Sequence, residues 1–105
     1  MADTEFQKKV YAALCRVPRG SVTTYKALAT AVGCGAPRAV GQAMRGNPYA
    51  PEVPCHRVIA SDLTIGGFQG DTSGDSISKK VALLEEEGVH FVDGHLADPG
   101  QCFEF

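Results

Sequence analysis

Helix breakers recur at short intervals through the first half of this chain, and they limit how long any helix can run. Pro18 with Gly20, then Gly33-Cys34-Gly35, then Gly46-Asn47-Pro48 interrupt the sequence. Proline lacks a backbone donor, and glycine favours turn conformations over helix. Between the breaks the apolar residues keep helical spacing. Phe6, Val10, Leu14 and Val17 form one stripe, which predicts a helix over 4–17. Thr4 and Gln7, three apart, suit a capping box at its start. Thr24 suits the N-cap of a second helix over 25–32. Pro37 suits the first turn of a third, which ends by Gly46. Two short helices joined by a tight glycine turn describe a helix-turn-helix, with the third helix in the recognition position.

That third helix carries unusually small residues, Ala36, Ala39, Gly41 and Ala43, together with Arg38 and Arg45. An internal glycine costs a helix about 1 kcal/mol relative to alanine. It is tolerated where another backbone comes close, whether a neighbouring helix or a nucleic acid.

The second half is more broken. Residues 47–54 hold three prolines and predict a loop. Cys55-His56-Arg57 and the apolar Val58-Ile59 follow. Ser61-Asp62 predicts a turn before Leu63-Thr64-Ile65, and Gly66-Gly67-Phe68-Gln69-Gly70 is a glycine-rich loop. Ser76 or Ser78 is expected to cap a fourth helix over 79–87, stopped by Gly88. Residues 89–92 and 102–105 are expected to pair as a small hairpin around Asp93-Gly94. The expected fold is mainly α with small β elements, a winged helix-turn-helix DNA-binding domain, with residues 1–105 forming one domain.

Composition narrows the function. Hydrophobic residues make up 44% of the chain, enough for a packed core. No apolar run reaches the roughly 20 residues that span a bilayer. The start, Met1-Ala2-Asp3-Thr4-Glu5, lacks the basic and apolar regions of a signal peptide. No membrane partner is expected; the location expected is the cytoplasm, or the nucleus in a eukaryote. The net charge of −2 argues against a uniformly basic DNA-binding surface. The charges are uneven, however: acidic residues gather late, while Lys8, Lys9, Arg16, Arg19, Lys26, Arg38, Arg45 and Arg57 lie in the first 60 positions. One face can therefore be basic. Of the four cysteines, Cys15, Cys34, Cys55 and Cys102, no two form a CxxC pair, so zinc is not indicated. A metal site from His90, His95 and Cys102 is a minor alternative.

Cys55 beside His56 is the centre of the chemistry. A thiol becomes a strong nucleophile when an adjacent base removes its proton. In extended chain the two side chains would point apart, so a turn or a bridging water is required. A carboxylate to orient the imidazole would complete the arrangement, and Glu85, Glu86 and Glu87 are candidates. A Cys-His pair also fits a packed cysteine beside a polar histidine. A hydrolase would need an oxyanion-hole element, and none is recognisable.

The wider segment, Pro54-Cys55-His56-Arg57-Val58-Ile59, resembles the active-site motif of the O6-alkylguanine-DNA alkyltransferases. Other segments agree in order. Phe6-Gln7 with Val10-Tyr11, then Pro18, Gly20, Val22, Thr24-Tyr25 and Leu28-Ala29, are similar to the start of that family's catalytic domain. Arg38-Ala39-Val40-Gly41, Ala43-Met44 and Asn47-Pro48 resemble its recognition helix. Gly66-Gly67-Phe68 and Leu83-Leu84 to Glu87-Gly88 resemble its closing segments. The likeness covers roughly residues 5–92.

The resemblance implies stoichiometric DNA repair after base flipping, with Cys55 taking the alkyl group from O6-alkylguanine. His56 would take the thiol proton through a water, Glu87 would hold His56, and Asn47 would brace the active-site loop. Tyr25 would press on the phosphate and help rotate the nucleotide. Arg38 would fill the gap left in the stack, and the recognition helix would lie in the minor groove through Ala39, Gly41, Ala43 and Arg45. Tyr25, Val53, Pro54, Cys55, Val58, Gly67, Phe68 and Gln69 would line the alkylguanine pocket. No cofactor and no metal are implied. The partner would be double-stranded DNA carrying the lesion, bound by a monomer.

Three departures qualify the likeness. The larger N-terminal domain of the full-length enzymes has no counterpart in this sequence. Gln69 stands where a small hydroxyl residue is usual, and 71–75 reads as an insertion. The turn at Ser61-Asp62-Leu63 lacks the usual glycine. The short length also resembles the alkyltransferase-like proteins, which bind and flip the same lesion with Trp or Ala in place of the cysteine and pass it to nucleotide excision repair proteins. A transcription factor reading an undamaged sequence is a further alternative.

Overall fold

The computed structural model describes residues 4–33, 36–44, 53–66 and 74–105. Helix α1 (Glu5–Leu14) starts at the Thr4 capping box, where Gln7 N donates to Thr4 Oγ1 at 3.0 Å and Thr4 N donates to Gln7 Oε1 at 2.8 Å. Strand β1 (Thr23–Thr24) leads into α2 (Tyr25–Ala31), capped by the Thr24 hydroxyl. Helix α3 (Pro37–Met44) packs against both α1 and α2. Helix α1 ends earlier than the apolar stripe predicts: Val17 stays buried, but it does so from a turn closed by Val17 N on Leu14 O at 3.0 Å.

A tight 3₁₀ turn (Cys55–Arg57) runs into β2 (Val58–Ile59), which pairs parallel with β1 in the register Thr23 to Val58 and Thr24 to Ile59. Helix α4 (Asp75–Glu86) begins several residues before the expected 79, and its N-cap is Gly74 rather than Ser76 or Ser78. Gly74 takes φ +86, a conformation open to glycine, which lets the chain enter the helix without a side-chain cap. Strands β3 (Phe91–Val92) and β4 (His95–Leu96) form the wing. This corrects the hairpin expected with 102–105. Asp93 and Gly94 both take positive φ, +51 and +81, so the chain reverses within two residues and pairs with its immediate neighbours. The tail instead runs along β1, where Cys102 bridges in parallel to Val22 and Phe103 N donates to Val22 O at 2.7 Å.

Two apolar clusters hold these elements. Val10, Leu14, Leu28, Val40 and Val58 sit at 0% exposure between α1, α2 and α3. Tyr11 closes this cluster, its hydroxyl donating to Ala43 O at 3.0 Å. Val22, Ile59, Leu84, Val89 and Leu96 form the second, under α4 and the wing. The turn without its usual glycine places Leu63 at φ +68. Leu63 packs against the second cluster and its carbonyl accepts from Leu96 N at 2.8 Å, which offsets part of that strain.

Candidate active site and nucleic-acid face

The parallel β1–β2 pair sets the site. It carries Tyr25 at its end on one strand and Cys55-His56-Arg57 at its start on the other. Pro54, buried, leads into the turn; Cys55 N donates to Val53 O at 2.8 Å and Arg57 N to Pro54 O at 2.9 Å. Tight winding separates neighbouring side chains. His56 is driven inward to 3% exposure, while Cys55 stays half-buried at the margin of the first cluster, alongside Val53 and Tyr25.

Glu87 meets His56 from α4. The helix ends in a Schellman motif: Gly88 takes φ +85, Gly88 N donates to Glu85 O at 3.0 Å, and Val89 N donates to Leu84 O at 2.9 Å. Leu84 and Val89 are both buried in the second cluster, the apolar contact that accompanies this motif. Glu87 is thereby fixed at the C-cap with its side chain 7% exposed. A carboxylate at a helix C-terminus opposes the helix dipole, and here Arg57 offsets it. The guanidinium donates from Nε to Glu87 Oε1 and from Nη2 to Oε2, both at 2.8 Å, and from Nη1 to Val17 O at 2.9 Å. His56 Nε2 lies 3.0 Å from Glu87 Oε2.

Burial alone would raise the Glu87 carboxyl, but hydrogen bonds and charge from Arg57 and His56 prevail and hold its pKa at about 2. Glu87 is therefore a carboxylate at neutral pH and accepts from His56 Nε2–H. That leaves Nδ1 of a neutral His56 as its free acceptor. For Tyr25, burial and then the charge of an ionised Cys55 push the phenol upward, so it keeps its proton.

On the third helix, Arg38 is exposed and has no ion-pair partner among the described residues, and Ala39 and Gly41 are half-exposed. A Cβ added to Gly41 would sit 3.8 Å from the Tyr25 ring, ordinary contact, so the fold itself does not require glycine there. The other Cε edge of the Tyr25 ring meets Gly66, where an added Cβ would lie 3.4 Å from the ring and 3.1 Å from Ala60 N. Two of the expected residues lie deeper than the rest. Ala43 is 6% exposed and packs in the first cluster, at the floor of a groove it lines with Arg38, Ala39 and Gln42. Val58 is 0% exposed and lies beneath the site rather than lining an opening. Arg45, Asn47, Gly67, Phe68 and Gln69 fall outside the described residues.

Sequence reasoning passed over Lys80. It is 0% exposed, and its ammonium donates to Val58 O and Ile65 O, each at 2.6 Å. Its position was readable: Lys80, Leu84 and Glu87 share one helical stripe at spacings of four and three. A lysine on such a stripe reads by default as solvated.

A family model described as "6-O-methylguanine DNA methyltransferase, DNA binding domain" matches residues 5–89. The chain is 53% identical over 87 residues to the methylated-DNA–protein-cysteine methyltransferase of Thermococcus kodakarensis, covering 82% of this chain and 46% of that protein. It spans about half the length of the curated relatives it matches. The crystal structure of Mycobacterium tuberculosis OGT in complex with DNA is 42% identical, with a TM-score of 0.72 over 82% of this chain and 51% of that one. That of S. pombe Atl1 in complex with damaged DNA containing O6-carboxymethylguanine is 35% identical, with a TM-score of 0.79 over 100% of both chains.

Proposed function

Because the chain belongs to the 6-O-methylguanine DNA methyltransferase family, through that family's DNA-binding domain, we propose that it takes an alkyl group from O6 of guanine in double-stranded DNA onto Cys55. The observation that carries this reading is the arrangement at the 3₁₀ turn. A half-buried thiol precedes a buried histidine whose Nε2 is held at 3.0 Å by an ionised, arginine-locked glutamate.

The chemistry follows from that arrangement. His56, with Nδ1 as acceptor, takes the thiol proton through a bridging water. The thiolate attacks the alkyl carbon, the S–C bond forms, and the C–O6 bond breaks with its electron pair left on guanine. Tyr25, still protonated, gives guanine its proton and regains one from the His56 imidazolium. The thioether is stable, so each chain reacts once. A thiolate cannot reach O6 inside a stacked duplex, so the nucleotide must first rotate out. Exposed Arg38 on α3 suits the vacated stack, since a guanidinium plane stacks where a base was. Half-exposed Ala39 and Gly41 allow that helix a close approach to the groove.

The test is nucleoside analysis of duplex DNA containing O6-methylguanine after incubation with the protein. The reading expects guanine to be regenerated one-for-one with added protein, without turnover, and not at all by C55A. An unchanged lesion content with folded protein that binds the lesion contradicts it.

The likeness to S. pombe Atl1 over the full length of both chains favours a second reading, a module that binds and flips the lesion without chemistry and passes it to nucleotide excision repair proteins. That reading expects equal lesion binding by wild type and C55A, and no loss of alkyl group from the DNA.

A further inference from the structure

We propose that Gln101 is a positioning residue of the nucleophile site: from the tail of the chain it clamps the end of α4 so that Glu87 stays on His56. The proposal rests on the reading of Cys55 as the nucleophile and His56 as its base. The Glu87 ion pair alone does not fix the site. Arg57 grips both carboxylate oxygens of Glu87, but that grip ties one side chain to another. The 3.0 Å contact of His56 Nε2 with Glu87 Oε2 also requires the backbone at the end of α4 to be held against the rest of the fold. The last carbonyls of a helix have no partner within it, so they are the points where such a hold can be taken.

The turn between α1 and β1 provides the other side of the hold. Gly20, at φ +91, comes so close to the helix end that an added Cβ would lie 3.4 Å from Glu87 O. Two side chains join these pieces through backbone oxygens. Arg19 Nη2 donates to Glu86 O at 2.9 Å. Gln101 Nε2 donates to Gly88 O at 3.0 Å and to Gly20 O at 3.3 Å, so one amide spans the gap. Glu87 thus lies between two anchored carbonyls, those of Glu86 and Gly88. Gln101 is itself held before it reaches them. It closes a 3₁₀ turn (Pro99–Gln101) in which Asp98 Oδ1 accepts from Gly100 N at 2.9 Å, and its own carbonyl accepts from Val22 N at 2.9 Å. Val22 leads directly into β1, whose partner β2 follows the cysteine turn. The clamp therefore refers the position of Glu87 to the same strand pair that positions Cys55 and His56. Gln101 lies beyond residues 5–89, the part that matches the family model, so the clamp is additional to the matched domain.

The test is the rate at which iodoacetamide alkylates Cys55 at neutral pH relative to exposed Cys15, followed by peptide mass in wild type and Gln101→Met. Methionine keeps the length of the side chain and loses the donor. A base loosened from its carboxylate gives less assistance, and the ratio of Cys55 to Cys15 rates is expected to fall about tenfold. Gln101→Lys, which restores an N–H donor on a long stem, is expected to recover most of it. The His56 ring 15N shifts give the readout that a merely structural residue would leave alone. They are expected to place the proton on Nε2 in wild type and to show it shared between Nε2 and Nδ1 in Gln101→Met. Either readout unchanged in folded Gln101→Met overturns the proposal, as does a fall in the ratio that Gln101→Lys leaves uncorrected. No DNA is present, so the outcome is separate from the transfer reaction. A lowered ratio together with a lesion left intact by wild type would defeat the function and leave the role of Gln101 standing. Should Gln101→Met fail to fold, Gln101→Asn, a methylene too short to span both carbonyls, is measured in the same way, and an unchanged ratio overturns the proposal.

Discussion

Glu87 is held by two residues that depend on it unequally. His56 can be neutral without it, whereas Arg57 cannot, and a half-buried guanidinium stripped of its carboxylate is costly. Glu87→Gln is therefore expected to lose about 3 kcal/mol at pH 7, read from urea unfolding. The pH dependence has a definite sign. A carboxyl at about 2 when folded, against 4.5 in the unfolded chain, contributes stability that is complete above about 4.5 and is lost as pH falls toward about 2. Wild type is expected to weaken across that window, and Glu87→Gln to be flatter there. Thr23 makes the opposite case: its hydroxyl is buried at 1% exposure with no hydrogen-bond partner among the described residues. Thr23→Val keeps the shape and removes the unsatisfied oxygen. It is expected to stabilise by about 1 kcal/mol, a rise of a few degrees in Tm.

At the scale of elements, the helices were the most legible part. Helix starts are written locally, by the Thr4–Gln7 box and the Thr24 cap, and the apolar stripes fix which face turns inward. What the sequence hid depended on contacts between distant segments. Nothing near Cys102 announces that the tail will lie along Val22, and no serine marks the start of α4 because Gly74 enters it by conformation alone. Gly41 separates two readings that sequence left open. Since a Cβ there would meet Tyr25 only at ordinary contact distance, Gly41→Ala is expected to fold with equal or greater stability, by up to about 1 kcal/mol in an interior helical turn. If α3 approaches DNA through this position, the same variant binds lesion-containing duplex more weakly. Unchanged binding would assign the glycine to helix packing alone.

For the whole molecule, the net charge of −2 means that the proposed DNA binding would depend on where its cations stand. Arg38 is exposed on α3, and Arg57 is committed to Glu87, so the arginines are not interchangeable. Arg38→Ala is expected to weaken lesion-DNA binding by about 1–3 kcal/mol with little effect on Tm, measured by fluorescence anisotropy and thermal melting. Of the candidate site, Cys55, His56 and Glu87 were readable because the motif and the end of α4 carry them. The burial of Lys80 was not, because the carbonyls of Val58 and Ile65 are brought near its ammonium only by the folded chain. The decisive measurement is the mass of the Cys55 peptide after incubation with duplex DNA containing O6-methylguanine. Alkyl transfer predicts that this peptide, and none carrying Cys15, Cys34 or Cys102, gains one methyl group in place of hydrogen. An unmodified Cys55 in protein that binds the lesion tightly would contradict it.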